Sequence, residues 1–226
     1  MRLFADRAEA GRRLADALGE YAGDRRVIVL ALPRGGVPVG YEVARRLQAP
    51  LDVYIVRKLG VPGHEELAMG ALAADGTWAI DEELIASLGV GAPALNEVVE
   101  RETAELRRRE RAYRGDRPEP NLEGRVVIVV DDGLATGATM RTAVTSLRKR
   151  DPAAIVVAVP VAAARTCAAL ESVADRVVCL HRPEPFHAVG LYYSNFDQTT
   201  DDEVRHLLTQ ARSSEQGSAA PRSITP

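Results

Sequence analysis

Five short apolar runs recur along the chain: VIVL (27–30), LDVYIV (51–56), VVIVV (126–130), AIVVAV (154–159) and RVVCL (176–180). They are rich in β-branched residues and largely lack alternation of apolar with polar positions. A strand with one wet face would alternate, so these runs read as strands buried on both faces, as in a parallel sheet covered by helices. Helical patterns separate them at 38–48, 140–150 and 163–171, and Leu3, Phe4, Ala8, Leu14, Ala15 and Leu18 form an N-terminal stripe. Such a succession builds βαβ units with right-handed crossovers, whose loops gather at the C-terminal ends of the strands. The expectation is an α/β fold: a central parallel five-stranded sheet flanked by helices, in one domain over 1–212. A chain of 226 residues suffices to cover that core.

Two regions break the rhythm. Residues 58–124 are too many for a simple crossover. They carry a Gly-containing loop, a short helix near 82–88 and a polar helix near 94–113 with Leu95, Val99, Leu106 and Tyr113 on one face. The run ELRRRERAYR within that helix reads as a solvated face, its glutamates offsetting its arginines. The second region, HRPEPFHAVGLYYSNFDQ (181–198), is aromatic and follows the last strand. Thr200 and Glu203 have the spacing of a capping box for a helix through Leu208. Residues 213–226 have the composition of a disordered tail.

A net charge of -3 argues against broad binding to nucleic acid or to an anionic membrane. Two cysteines, Cys167 and Cys179, make neither a disulfide scaffold nor a metal site, and the four histidines show no ligand spacing. The opening MRLFADRAEAGRRL is too charged for a signal peptide, and no apolar run approaches ~18 residues. A soluble, reduced, cytoplasmic protein is expected.

The chemistry concentrates in VVIVVDDGLATGATM (126–140). One aspartate at a strand end can cap the following helix; a second beside it adds like-charge repulsion that a ligand can relieve. The loop Gly133-Leu134-Ala135-Thr136-Gly137-Ala138-Thr139 lets backbone N–H groups approach an anion, and the next helix adds its N-terminal dipole. Thr136 and Thr139 add hydroxyl donors. Two acceptors suited to vicinal hydroxyls thus stand beside a nest of donors suited to phosphate, which is the pattern of a sugar 5-phosphate. A Walker P-loop is excluded, because no GxxxxGK[ST] occurs.

This stretch resembles the phosphoribosyl-pyrophosphate (PRPP) motif of type I phosphoribosyltransferases, and DDGLATGAT is especially similar to that of adenine phosphoribosyltransferases. Together, LPRGGVPVG, VRKLG, VDDGLATGATM and PEPFHAVGLYY resemble a bacterial group of uncharacterised phosphoribosyltransferase-like proteins. The resemblance implies the type I fold with a helical insert and a C-terminal hood. It also implies transfer of 5-phosphoribosyl from PRPP to a nitrogenous base, release of pyrophosphate, and a homodimer. It places PRPP on Asp131, Asp132, Ala135, Thr136, Gly137, Ala138 and Thr139. Mg²⁺ is implied as cofactor, held mainly by PRPP oxygens and water rather than by a protein cage.

Pyrophosphate would meet ALPRGGVPVG, where Pro33, Arg34, Gly35 and Gly36 open a helix N-terminus. The family's loop contains a cis peptide, expected here at Leu32–Pro33 because proline lowers its cost to about 0.5–1 kcal/mol. Arg57 and Lys58 resemble the pair that opens the mobile catalytic loop, and the Gly60, Pro62 and Gly63 punctuation suits a lid. Lys58 is one of only two lysines, with Lys149.

Hypoxanthine-guanine enzymes carry an aspartate where Ala135 stands, so that base specificity does not transfer. Adenine enzymes use a lid glutamate, for which Glu65 and Glu66 are available and Glu66 is chosen. Phe186 is expected to stack on the base, with Tyr192 or Tyr193 closing the hood over it. The alternative function is a non-catalytic PRPP- or nucleotide-binding regulator.

Overall fold

The computed structural model describes residues 2–73 and 76–218. Its strands are β1 (Val27–Ala31), β2 (Leu51–Val53), β3 (Val56–Val61), β4 (His64–Ala73), β5 (Trp78–Ile80), β6 (Val126–Val130), β7 (Ala154–Val161) and β8 (Arg176–His181). Its α-helices are α1 (Arg7–Ala17), α2 (Gly36–Leu47), α3 (Glu82–Ser87), α4 (Ala92–Arg114), α5 (Ala138–Arg148), α6 (Ala164–Leu170) and α7 (Asp201–Ser218). Among the described residues no helix is long and apolar enough to cross a membrane.

Five strands form a parallel sheet in the order β2-β1-β6-β7-β8. Every residue of β1 and β6 is buried, as unalternated apolar runs require. Successive residues feed opposite cores. Val27, Val29, Val126 and Ile128 pack beneath α1, α2 and α7, while Ile28, Leu30, Val127 and Val129 pack beneath α5 and α6. The chain leaves β1 toward β2 on one side and leaves β6 toward β7 and β8 on the other. The order therefore reverses between β1 and β6, with α2 and α5 on opposite faces. A crevice forms at such a switch point, outside the carboxyl ends of the two strands.

The largest departure from the sequence reading lies in 56–80. The run LDVYIV divides into β2 and the start of β3. The loop expected after Lys58 is instead a hairpin, β3–β4, extended by β5 into a three-stranded antiparallel sheet. Gly60, Pro62 and Gly63 mark an irregular pairing and a turn within it, with Gly63 at φ 77. The cause is tertiary: Leu59, Val61, Met69 and Leu72 enter the same core as Val98 and Leu106 of α4. The far end of α4 is anchored by Arg114, whose Nε donates to Asp52 Oδ2 at 3.2 Å and whose Nη2 donates to the Val53 carbonyl at 3.0 Å, all buried.

At the C-terminus Thr200 Oγ1 accepts from the Glu203 amide at 3.1 Å, as the capping pattern requires. α7 continues to Ser218 rather than stopping near Leu208, so residues 213–218 are helical and not a disordered tail. Val204 and Leu208 bury the helix on α2 and supply the nucleus from which its polar last turns propagate. The rest of that expected tail, 219–226, lies outside the described residues.

Candidate active site

The loops after β1 and β6 meet at the switch point. Leu32 donates its amide to the Val130 carbonyl at 2.9 Å, which clamps the first loop to the end of β6. α2 and α5 then begin on Gly35 and Gly137, neither of which provides a side-chain cap. The amides of Arg34 and Gly35, and those of residues 135–139, donate to no other group among the described residues. Both helix N-termini are therefore open to an anion. Gly137 sits at φ 73, which turns the chain from the exposed Ala135 and Thr136 into α5. Thr166 Oγ1 donates to the Ala135 carbonyl at 2.6 Å and holds that turn from α6.

The two aspartates divide their roles. Asp131 lines the cleft with Thr139, and its Oδ1 accepts from the Asp132 amide at 2.8 Å. Asp132 turns the other way. Arg7 Nε donates to its Oδ2 at 2.8 Å, and Tyr193 Oη donates to its carbonyl at 2.6 Å. Arg7 is itself fixed, donating to the Asp197 carbonyl at 2.7 Å and lying 3.9 Å over the Phe196 ring. Gly35 is obligatory here, since an added Cβ would collide with Asp132 Oδ2. Burial and the neighbouring Asp132 push the Asp131 carboxyl well above its ordinary value. Burial also raises Asp132, with Arg7 opposing. Burial likewise pushes the Tyr193 phenol up.

Opposite these loops stands the inserted region. The cleft, about 450 Å³, is walled there by Val56, Arg57, Lys58 and Gly60 of β3, Glu65 of β4, and Arg101, Glu102 and Arg109 of α4. Arg57 is not free: its Nε and Nη2 both donate to Glu102 Oε2, at 2.9 and 2.6 Å. Lys58 is exposed and makes no hydrogen bond or ion pair among the described residues. The cleft thus sets Thr139 and a protonation-prone carboxylate, beside two open helix N-termini, against a row of cations, an arrangement that fits a polyanion bearing hydroxyl groups.

A family model described as a phosphoribosyl transferase domain matches residues 4–194. The chain belongs to that family. It is 46% identical over 211 residues to a Mycobacterium tuberculosis protein named "Putative phosphoribosyl transferase", covering 93% of this chain and 47% of that one. It thus spans about half the length of that relative. The crystal structure of TT1426 from Thermus thermophilus is 42% identical, with a TM-score of 0.78 over 93% of this chain and 99% of that one.

The cis peptide falls at Pro33–Arg34, not at Leu32–Pro33. The tertiary amide of proline favours the earlier bond, but the turn that joins β1 to α2 places the cis geometry one residue later. The hood aromatics also lie elsewhere than the resemblance implied. Phe186 and Tyr192 stack with centroids 5.4 Å apart, and Tyr192 is buried with Phe4, Val161 and Tyr193. Neither lines the cleft. The N-terminal segment explains this, because Leu3 and Phe4 donate their amides to the Tyr192 carbonyl and draw the 181–198 region onto α1.

Glu65 lines the cleft, whereas the side chain of Glu66, its neighbour in β4, lies outside the described residues. Sequence reasoning missed Arg7, Arg101, Glu102 and Arg109, and offered Tyr193 only as a hood residue, whereas it donates to the Asp132 carbonyl. Nothing near Arg7 in the chain points to Asp132. The arginines of α4 alternate with glutamates and so resemble any solvated helix face.

Proposed function

We propose that this protein binds PRPP in the cleft between the β1 and β6 loops and the α4 wall, and transfers its 5-phosphoribosyl group to a nitrogenous base. The observation that carries the reading is the set of amides at 135–139 that find no partner among the described residues, beside Asp131, with Lys58 across the cleft. The amides and the α5 dipole would hold the 5-phosphate. Asp131 would accept from a ribose hydroxyl, which restores hydrogen bonds to a half-buried carboxylate. Asp132, fixed by Arg7 and Gly35, would shape the turn behind it and hold the β1 loop amides toward the diphosphate.

In the reaction a ring-nitrogen lone pair of the base attacks ribose C1, and the C1–O bond to pyrophosphate breaks with its electron pair leaving on oxygen. Positive charge develops on the sugar and negative charge on the leaving group. Lys58 and the Arg34 and Gly35 amides would meet that negative charge. Glu65, which lines the cleft, would take the ring proton the base loses on alkylation. Mg²⁺ fits the donor chemistry: Asp131 presents a hard carboxylate oxygen, and PRPP oxygens and water would complete the shell. Bound there, Mg²⁺ would neutralise diphosphate charge.

The test is PRPP consumption with Mg²⁺ against a panel of bases. Pyrophosphate release only with one acceptor supports the transferase. Release without acceptor makes the protein a hydrolase, and tight binding without turnover makes it a regulator that senses PRPP or a nucleotide.

A further inference from the structure

The α4 helix carries a stripe that neither the PRPP loop nor the hairpin pair accounts for. Arg101, Glu105 and Arg109 recur every fourth residue and therefore share one face. Arg101 and Arg109 line the cleft together with Leu32 and Pro33, the start of the loop whose Arg34 and Gly35 amides find no partner among the described residues. Two anion-directed elements from distant parts of the chain face each other across one cavity. Each carboxylate on the α4 side is shared by two guanidiniums. Glu102 accepts from Arg57 and from Arg101 (Nε 3.2 Å), and Glu105 accepts from Arg108 and Arg109 (Nε 2.7 and 2.8 Å). Hydrogen bonds from Arg108 and then Arg109 hold the Glu105 carboxyl at about 2, so it is ionised at neutral pH. One positive charge is left uncompensated in each cluster, with the guanidiniums already placed and partly desolvated. On the opposite side Asp131 lines the cleft, and Glu65 stands on the hairpin.

We infer that Arg101 and Arg109 of α4 form part of the pyrophosphate subsite, so that the insert is a wall of the active site and not a solvated appendage. A guanidinium presents a planar fork that matches two phosphate oxygens, and two forks with Lys58 suit a diphosphate better than a single carboxylate. Glu102 and Glu105 act as positioning residues: they hold the forks in the empty cleft and yield to the more highly charged ligand. The inference rests on the cleft being a PRPP site, and its test separates the two ideas.

The full-length chain is titrated calorimetrically, at fixed Mg²⁺, with inorganic pyrophosphate and separately with ribose 5-phosphate. The combined Arg101→Gln and Arg109→Gln protein should bind pyrophosphate about tenfold or more weakly, as expected for lost charged hydrogen bonds. Its affinity for ribose 5-phosphate should be unchanged. Glu105→Gln releases Arg109 without removing it and should tighten pyrophosphate, which a merely structural role would not do. If the arginine variants bind pyrophosphate as the parent protein does, while ribose 5-phosphate still binds, the inference fails and the PRPP reading stands. If the parent protein takes up neither ligand, both fail. Should the arginine variants not fold, Glu105→Gln decides: tighter pyrophosphate binding supports the inference, and unchanged or weaker binding overturns it.

Discussion

Where the loops after β1 and β6 meet, backbone amides and one cleft-facing carboxylate are held by strands whose every residue is buried. Across the cleft, β3 and α4 present long ionised side chains tied into pairs, such as Arg57 with Glu102, 45 positions apart. The first wall is fixed by peptide geometry in contiguous sequence; the second is held by electrostatics between distant segments. A backbone wall is intolerant of added atoms and indifferent to salt. A side-chain wall tolerates substitution and responds to charge and ionic strength.

The sharpest way to break the first wall is Gly35→Ala. Its Cβ collides with an Asp132 carboxylate that Arg7 holds in place. Thermal unfolding should show a loss of about 1–3 kcal/mol, as for overpacking, and calorimetry should show no PRPP binding. Unaltered binding would mean that the close approach of the two loops is dispensable. Next in size is Lys58→Ala on the second wall. Turnover should fall about a hundredfold, the scale of one donor lost to developing charge. PRPP affinity should change much less, because the interaction acts mainly in the transition state. Equal effects on both quantities would remove Lys58 from catalysis.

These contrasts also explain what the sequence could show. The five buried runs and the DDGLATGAT turn are local: their strand character, turn residues and helix start are encoded within a few neighbours. The sheet, the crevice and the position of Asp131 were therefore legible. β4 was not, because HEELAMGALA becomes a strand through contacts with β3, β5 and the α4 core. Nor was the partnership of Arg7 with Asp132, which spans 125 positions. Tyr192 was misplaced for a related reason: an aromatic residue near a sheet edge suits a pocket or a packed layer equally, and Leu3 and Phe4 decide in favour of packing.

Two smaller effects sharpen the comparison. Glu102→Gln leaves Arg57 and Arg101 without their shared carboxylate, and both guanidiniums are partly exposed. Denaturant unfolding should show a loss of about 1 kcal/mol that shrinks as salt rises. A salt-independent loss would indicate packing instead. Asp131→Asn should do the opposite at neutral pH. The native carboxyl lies well above its ordinary 3.8, so the native state binds the proton more tightly than the unfolded chain. Its contribution to stability is full below the unfolded value and is lost as pH rises through the native value. The variant escapes that loss and should melt a few degrees higher at pH 7. The gain should vanish in acid below the ordinary carboxyl range, while PRPP binding weakens about tenfold. A lower melting temperature at pH 7 would show that Asp131 supports the empty fold.

The most direct measurement follows the backbone amide resonances of residues 135–139 while PRPP and Mg²⁺ are added to the isotope-labelled protein. These amides find no partner among the described residues, and saturation with PRPP should move them further than any others, together with that of Asp131. Saturating PRPP that leaves all of them in place would contradict the sugar-phosphate site on which the rest depends.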